Sequence, residues 1–138
     1  MNNTTQIRTG RHVVFNLHAH LVFVTKYRKT VFSNVMLNRM QAIFTSVCDD
    51  FDCELVEFDG EGDHVHLMVH YPPKLSLSKL VNSLKGVSSR YLRQEFGKKI
   101  EKYYCKGVLW SPSYFVASCG GAPIEMVRAY IQGQCTPS

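Results

Sequence analysis

Two stretches with apolar residues at helical spacing bracket a pair of strand-like segments joined by a short polar turn. No other feature of the 138-residue chain restricts its fold as much. The first helix is expected from about Ser33 to Phe51, where Met36, Leu37, Met40, Ile43, Phe44, Val47 and Phe51 recur and Ser33 stands at the N-cap position. The strands are expected over Cys53–Phe58 and His64–Tyr71, with Asp59-Gly60-Glu61-Gly62-Asp63 as the turn and Pro72-Pro73 as the stop. The second helix is expected from about Ser76 to Phe96 on a stripe of Leu77, Leu80, Val81, Leu84, Tyr91 and Leu92. Before this unit, Val13–Thr25 is rich in β-branched and aromatic residues and reads as a strand, closed by the basic cluster Lys26-Tyr27-Arg28-Lys29. After it, Ser113–Cys119 reads as a strand, and Pro123 suits the first turn of a last helix reaching Gln134. The order β-α-β-β-α-β-α predicts an α+β fold. Its antiparallel sheet of four to five strands carries helices on one face, in the split βαβ manner of ferredoxin- and RRM-like domains.

Composition narrows the class. At 45% hydrophobic and 20% charged, with seven Tyr and eight Phe, the chain can bury a core and is not wholly disordered. Residues 1–138 are expected to form one domain, with residues 1–11 as a loose tail. No apolar run approaches the roughly 20 residues that span a bilayer, and Met1–Gln6 lacks a signal-peptide pattern, so a cytoplasmic location is expected. The five cysteines form no CxxC pair and their number is odd, which fits packing thiols better than zinc ligands or a disulfide frame. A net charge of +5 permits a polyanionic partner without requiring one.

His64-Val65-His66 carries the most chemistry. Residues i and i+2 of a strand point to one face, roughly 6–7 Å apart, so both imidazoles can converge on one divalent metal while Val65, Leu67 and Val69 face the core. Asp63 is placed to orient a ligand imidazole. A half-buried strand with outward polar residues produces the same HxH spacing. His70 shares the face of His66 but lies about 13 Å further along. His18 and His20 repeat the spacing, with packing the expected role. In the last helix, Ile124, Val127 and Ile131 form the packing stripe, and Tyr130 and Gln134 lie about 40° apart beside it. On the second helix Lys79, Ser83, Gly86, Arg90 and Arg93 form a basic ridge opposite the leucines, where a phosphate backbone can approach. Lys26, Tyr27 and Arg28 make a second basic patch with an aromatic for stacking.

Taken in order, these segments resemble the single-tyrosine HUH transposases of single-strand insertion sequences, the IS200/IS605-like family. The resemblance rests on His20-Leu21-Val22-Phe23 with Lys26-Tyr27-Arg28, Asp63-His64-Val65-His66-Leu67, Lys85-Gly86-Val87-Ser88-Ser89-Arg90, Leu109-Trp110-Ser111-Pro112-Ser113-Tyr114, and Tyr130-Ile131 with Gln134. It implies that Tyr130 is the nucleophile, forming a 5′-phosphotyrosine and a free 3′-hydroxyl. It makes Gln134 the third metal ligand beside His64 and His66, with Mg²⁺ or Mn²⁺ as the metal. Lys85 joins the expected DNA contacts, and Gly120 and Gly121 become the hinge of the tyrosine helix. The partners implied are single-stranded DNA with hairpin ends and a second copy of the chain, the active site being shared across the homodimer. No P-loop is present, so no nucleotide cofactor is expected. The rival readings are a domesticated relative that processes chromosomal repeats and a non-catalytic RNA-binding module of the same sheet topology.

Overall fold

The structure is a computed structural model that describes residues 7–10, 12–105, 107–118 and 124–134. Its elements are β1 (Arg8–Thr9), β2 (Val14–Phe15), β3 (His18–Val24), α1 (Asn34–Asp50), β4 (Glu54–Gly60), β5 (His64–His70), α2 (Leu77–Glu95), α3 (Gly97–Ile100), β6 (Phe115–Ser118) and α4 (Ile124–Gly133). The main sheet runs β4-β5-β3-β6 with every neighbouring pair antiparallel, while β1 and β2 form a separate two-stranded ribbon.

Both long helices begin where their caps predict. The Ser33 hydroxyl accepts the Met36 N–H and the Ser76 hydroxyl accepts the Lys79 N–H, each satisfying one of the free donors of a first turn. α1 and α2 then lay Met36, Met40, Phe44, Leu80, Leu84 and Leu92 against Leu21, Phe23, Val65 and Leu67 on one face of the sheet. Arg39 binds Glu95 through two nitrogens, at 2.8 and 2.9 Å, and ties α1 to the end of α2. Tyr91 departs from the expected leucine stripe. Its ring is 37% exposed, with the Arg39 and Arg90 guanidiniums over it, because an amphipathic ring with two cations in reach is better placed at the surface.

α4 packs on the opposite face. Val127 and Ile131 form a small second core with Val22 and Val24, with Phe115 and Tyr130 at its edge. One-sided packing therefore holds for α1 and α2, and the C-terminal helix covers the other side. The strand expected over Val13–Thr25 is broken as well. Val14–Phe15 pairs with Arg8–Thr9, so part of the expected tail is ordered, and only His18–Val24 enters the main sheet. Cys119, Gly120, Gly121 and Pro123 lie outside the described residues, as does the side chain of Ile124, so the expected hinge and helix start do too. No described helix is long and apolar enough to cross a membrane.

Candidate active site

Register decides which side chains meet. On β3 and β5 the directly opposed pairs are Val24 with His64, Val22 with His66, His20 with Met68 and His18 with His70. Opposed residues share a face with Cβ atoms about 5 Å apart, so all these histidines lie on the face that α4 covers. Val127 and Ile131 of α4 rest on Val22 and Val24, the cross-strand partners of His66 and His64. The helix bearing Tyr130 is thereby seated beside the two histidines.

Each imidazole has its Nδ1 engaged. The His64 Nδ1 lies 2.7 Å from Asp63 Oδ1, and Arg28 Nε donates to the other Asp63 oxygen at 2.8 Å. The His66 Nδ1 lies 3.3 Å from His20 Nε2. The His64 and His66 rings are 5.0 Å apart and nearly perpendicular. With both Nδ1 atoms occupied, Nε2 is the atom each ring has for a metal, and a carboxylate behind a ligand imidazole fixes its tautomer and raises its basicity. Burial lowers the His66 pKa, with His64 and His20 adding to the effect against Asp59 and Glu61, which favours the neutral form a metal requires. Burial pushes the Asp63 carboxyl up, but the hydrogen bonds from His64 and Arg28 outweigh it and hold the group ionised. Glu61 Oε2 stands 3.5 Å from His64 Nε2 and is exposed enough to move aside.

The tyrosine end of the site is held by serines. Tyr130 Oη lies 2.7 Å from Ser113 Oγ, and its ring packs on Phe115. Burial raises the Tyr130 pKa against the lowering effect of that hydrogen bond, so the phenol is protonated near neutral pH. Gln134 Oε1 accepts from Ser111 Oγ at 2.6 Å and from Ser113 Oγ at 3.3 Å. The amide oxygen expected to bind metal thus has both lone pairs engaged in this conformation. Among the described residues no three His, Cys, Asp or Glu side chains converge on a common metal position. The donor set that fits a hard or borderline cation is therefore His64 and His66, completed by an amide or by substrate oxygens.

The expected DNA contacts separate into two kinds. Lys79, Gly86 and Arg90 are exposed on α2, Arg93 is half-buried, and a side chain built at Gly86 would meet nothing within 4 Å. Lys26 and Tyr27 occupy a turn in which Tyr27 and Arg28 both have left-handed backbone, with φ of 59° and 57°. Arg28 is committed to Asp63 rather than free for phosphate. Lys85 also turns inward, its Nζ bonding the carbonyl oxygens of Ser111 and Ser113 at 2.6 and 3.0 Å. A surface hollow of about 370 Å³ between Lys26, Lys85, Gly86 and Ser111 adjoins one of about 610 Å³ lined by Arg90 and Arg93, with Gly107 lining both. The ridge on α2 therefore opens toward the segment that holds Gln134.

Sequence reasoning missed Ser111, Ser113 and the His20 contact as parts of the site. Ser111 and Ser113 sit in a quoted motif but have no local pattern of their own, and His20 meets His66 from 46 residues away.

Comparison with known proteins follows this geometry. Residues 13–134 match the family described as transposase IS200 like. The chain is 31% identical over 123 residues to the transposase for insertion sequence element IS200 of Salmonella typhimurium, covering 89% of this chain and 80% of that protein. It is 27% identical over 129 residues to the ISDra2 transposase TnpA of Deinococcus radiodurans, covering 94% and 91%. A transposase crystal structure from Deinococcus radiodurans superposes with a TM-score of 0.84 at 29% identity, over 92% of this chain and 97% of that one. A REP-associated tyrosine transposase bound to a REP hairpin shares the fold, with a TM-score of 0.56 at 11% identity over 90% and 67%.

Proposed function

The chain belongs to the IS200-like transposase family, and from that membership we propose that it cuts and rejoins single-stranded DNA at hairpin-flanked ends through Tyr130. The observation that carries the reading is the seating of α4. Val127 and Ile131 pack on the cross-strand partners of His66 and His64, which sets the tyrosine helix beside a histidine pair whose Nε2 atoms, once the exposed Glu61 leaves His64, can face a metal.

In this reading Tyr130 Oη attacks the scissile phosphorus. A phosphorus–oxygen bond forms to the phenol, the bond to the 3′ oxygen breaks, and that oxygen takes up a proton while the phenol loses one to solvent. The 5′-phosphotyrosine stores the phosphodiester's free energy, and a 3′-hydroxyl later attacks it and returns the phenol. His64 and His66 would hold Mg²⁺ or Mn²⁺, which when bound neutralises the non-bridging phosphate oxygens. Gln134 would join them after its oxygen leaves Ser111. Asp63 keeps the His64 tautomer fixed, and Lys79, Gly86, Arg90, Arg93, Lys26 and Tyr27 bind the strand's backbone and a base. Two copies act together, one for each DNA end.

The test is a labelled single-stranded oligonucleotide bearing the hairpin and flank from the DNA around the coding segment, incubated with the protein and Mn²⁺ and run on a denaturing gel. A covalent protein–DNA band is expected, absent in Tyr130→Phe. Cleavage that survives Tyr130→Phe overturns the assignment of the nucleophile.

A further inference from the structure

Lys85 is half-buried midway along α2, and its ammonium donates to two main-chain carbonyls of one short segment, Ser111 and Ser113. Their hydroxyls in turn reach α4, Ser111 to Gln134 and Ser113 to both Tyr130 and Gln134. The same segment is tied down from other sides. The Ser111 N–H bonds Val24 O at 2.8 Å, and the buried Trp110 indole donates to Ser88 Oγ of α2 at 3.0 Å. Partial burial of the ammonium has a cost and lowers its pKa to about 8. Holding backbone carbonyls is work that an exposed phosphate-binding lysine does not do.

We propose that Lys85 is a positioning residue that sets the Ser111–Ser113 segment, and through it the orientation of the Tyr130 phenol and the Gln134 amide. Among the described residues the Tyr130 hydroxyl has Ser113 as its hydrogen-bond partner, so the direction of its oxygen depends on where that serine stands. Lys85 enters from α2, which packs on one face of the sheet, and its effect emerges on α4, which packs on the other. A single side chain thereby connects α2, across the Ser111–Ser113 segment, to the helix that carries Tyr130. The inference rests on the reading of Tyr130 as nucleophile.

The experiment measures two quantities on the full chain with the same labelled hairpin oligonucleotide. One is the single-turnover rate of covalent adduct formation in Mn²⁺, and the other is hairpin affinity in EDTA. Lys85→Met is expected to slow adduct formation roughly 30-fold, as small misplacements of a reacting group do, with affinity changed less than about threefold. Lys85→Arg, which keeps a cation and several donors, is expected to recover much of the rate. Ser113→Ala, on an exposed side chain that leaves the fold intact, is expected to slow the adduct step about tenfold. The double variant Lys85→Met/Ser113→Ala should be no slower than Lys85→Met alone, because both act through one contact. Should Lys85→Met lose affinity as far as rate, Lys85 is a DNA contact and the proposal fails. An unchanged or faster adduct step in both Lys85→Met and Ser113→Ala also overturns it. A wild-type chain that forms no adduct overturns the Tyr130 reading and this inference with it, whereas equal adduct from wild type and Lys85→Met overturns the inference alone.

Discussion

β3 and β5 carry histidines at both ends of the same antiparallel pair, and the two ends have opposite surroundings. At one end His64 and His66 have Asp63, His20, Arg28 and Glu61 around them, and each ring has its Nδ1 engaged. At the other end His18 and His70 stack at 4.3 Å, nearly parallel, beneath Phe15 of the β1–β2 ribbon. There His18 Nε2 and both His70 nitrogens have no hydrogen-bond partner among the described residues, and Glu54 approaches His70 Nδ1 only to 4.0 Å. Residue type is alike at the two ends, though His64 and His66 share one strand while His18 and His70 face each other across two. What differs is the company: Asp63, Glu61 and the tyrosine helix stand at one end, and the aromatic ribbon at the other.

Breaking the polar end has the largest expected consequence. His64→Ala removes one of two imidazole donors and is expected to lower adduct formation by about a thousandfold or more, with hairpin affinity in EDTA nearly unchanged. The denaturing gel and a binding titration check both halves, and an equal loss of binding would mean that His64 holds the fold rather than a metal. Asp63→Asn leaves the ligands in place but weakens their support. Partners behind metal-ligating histidines are worth about 10–100-fold in affinity, so Mn²⁺ binding followed by electron paramagnetic resonance is expected to weaken within that range. An unchanged Mn²⁺ affinity would show that the 2.7 Å contact to His64 is incidental to ligation.

This contrast also marks how much was legible beforehand. The helices were, because Ser33 and Ser76 cap stripes of regular period, and so was the shared face of His64 and His66, since strand period is a local property. The difference between the two histidine ends was not, because it arises from pairing. The register of β3 on β5 sets His20 against His66 and His18 against His70, and no window of sequence contains that alignment. The inward turn of Lys85 was hidden for a similar reason. Only its place in the family's motif put it among the DNA contacts; on the helix it borders the leucine stripe beside Leu92, and the arrival of Ser111 and Ser113 supplies acceptors that outweigh solvent. The break of the first strand after Phe15 escaped a reading that saw one apolar run, since the ribbon partner lies in a polar segment expected to be loose.

At the apolar end the expected effects are smaller and of opposite sign. His70→Phe keeps a ring against His18 and Phe15 and deletes two unpartnered nitrogens, each costly to bury at about 1–3 kcal/mol. The variant is expected to melt at or above the wild-type temperature near pH 7.5 and to form the adduct at the wild-type rate. A loss of adduct would join this end to the site and erase the contrast.

The finest distinction is in pH. Burial lowers the His70 pKa below 6.5, helped by His18 and the Arg8 guanidinium and opposed by Glu54. The unfolded chain, with its histidine near 6.5, then binds more protons than the folded one as pH falls through that value, so stability decreases on acidification. His20 and His66 are lowered too and contribute with the same sign. Removing His70 leaves those two in place and takes away one part of the slope. Melting temperatures at pH 7.5 and 5.5 should therefore fall less steeply for His70→Phe than for the wild type. Equal slopes would mean that His70 accepts a proton in the folded chain as readily as in the unfolded one, and the ribbon end would then be open to charge after all.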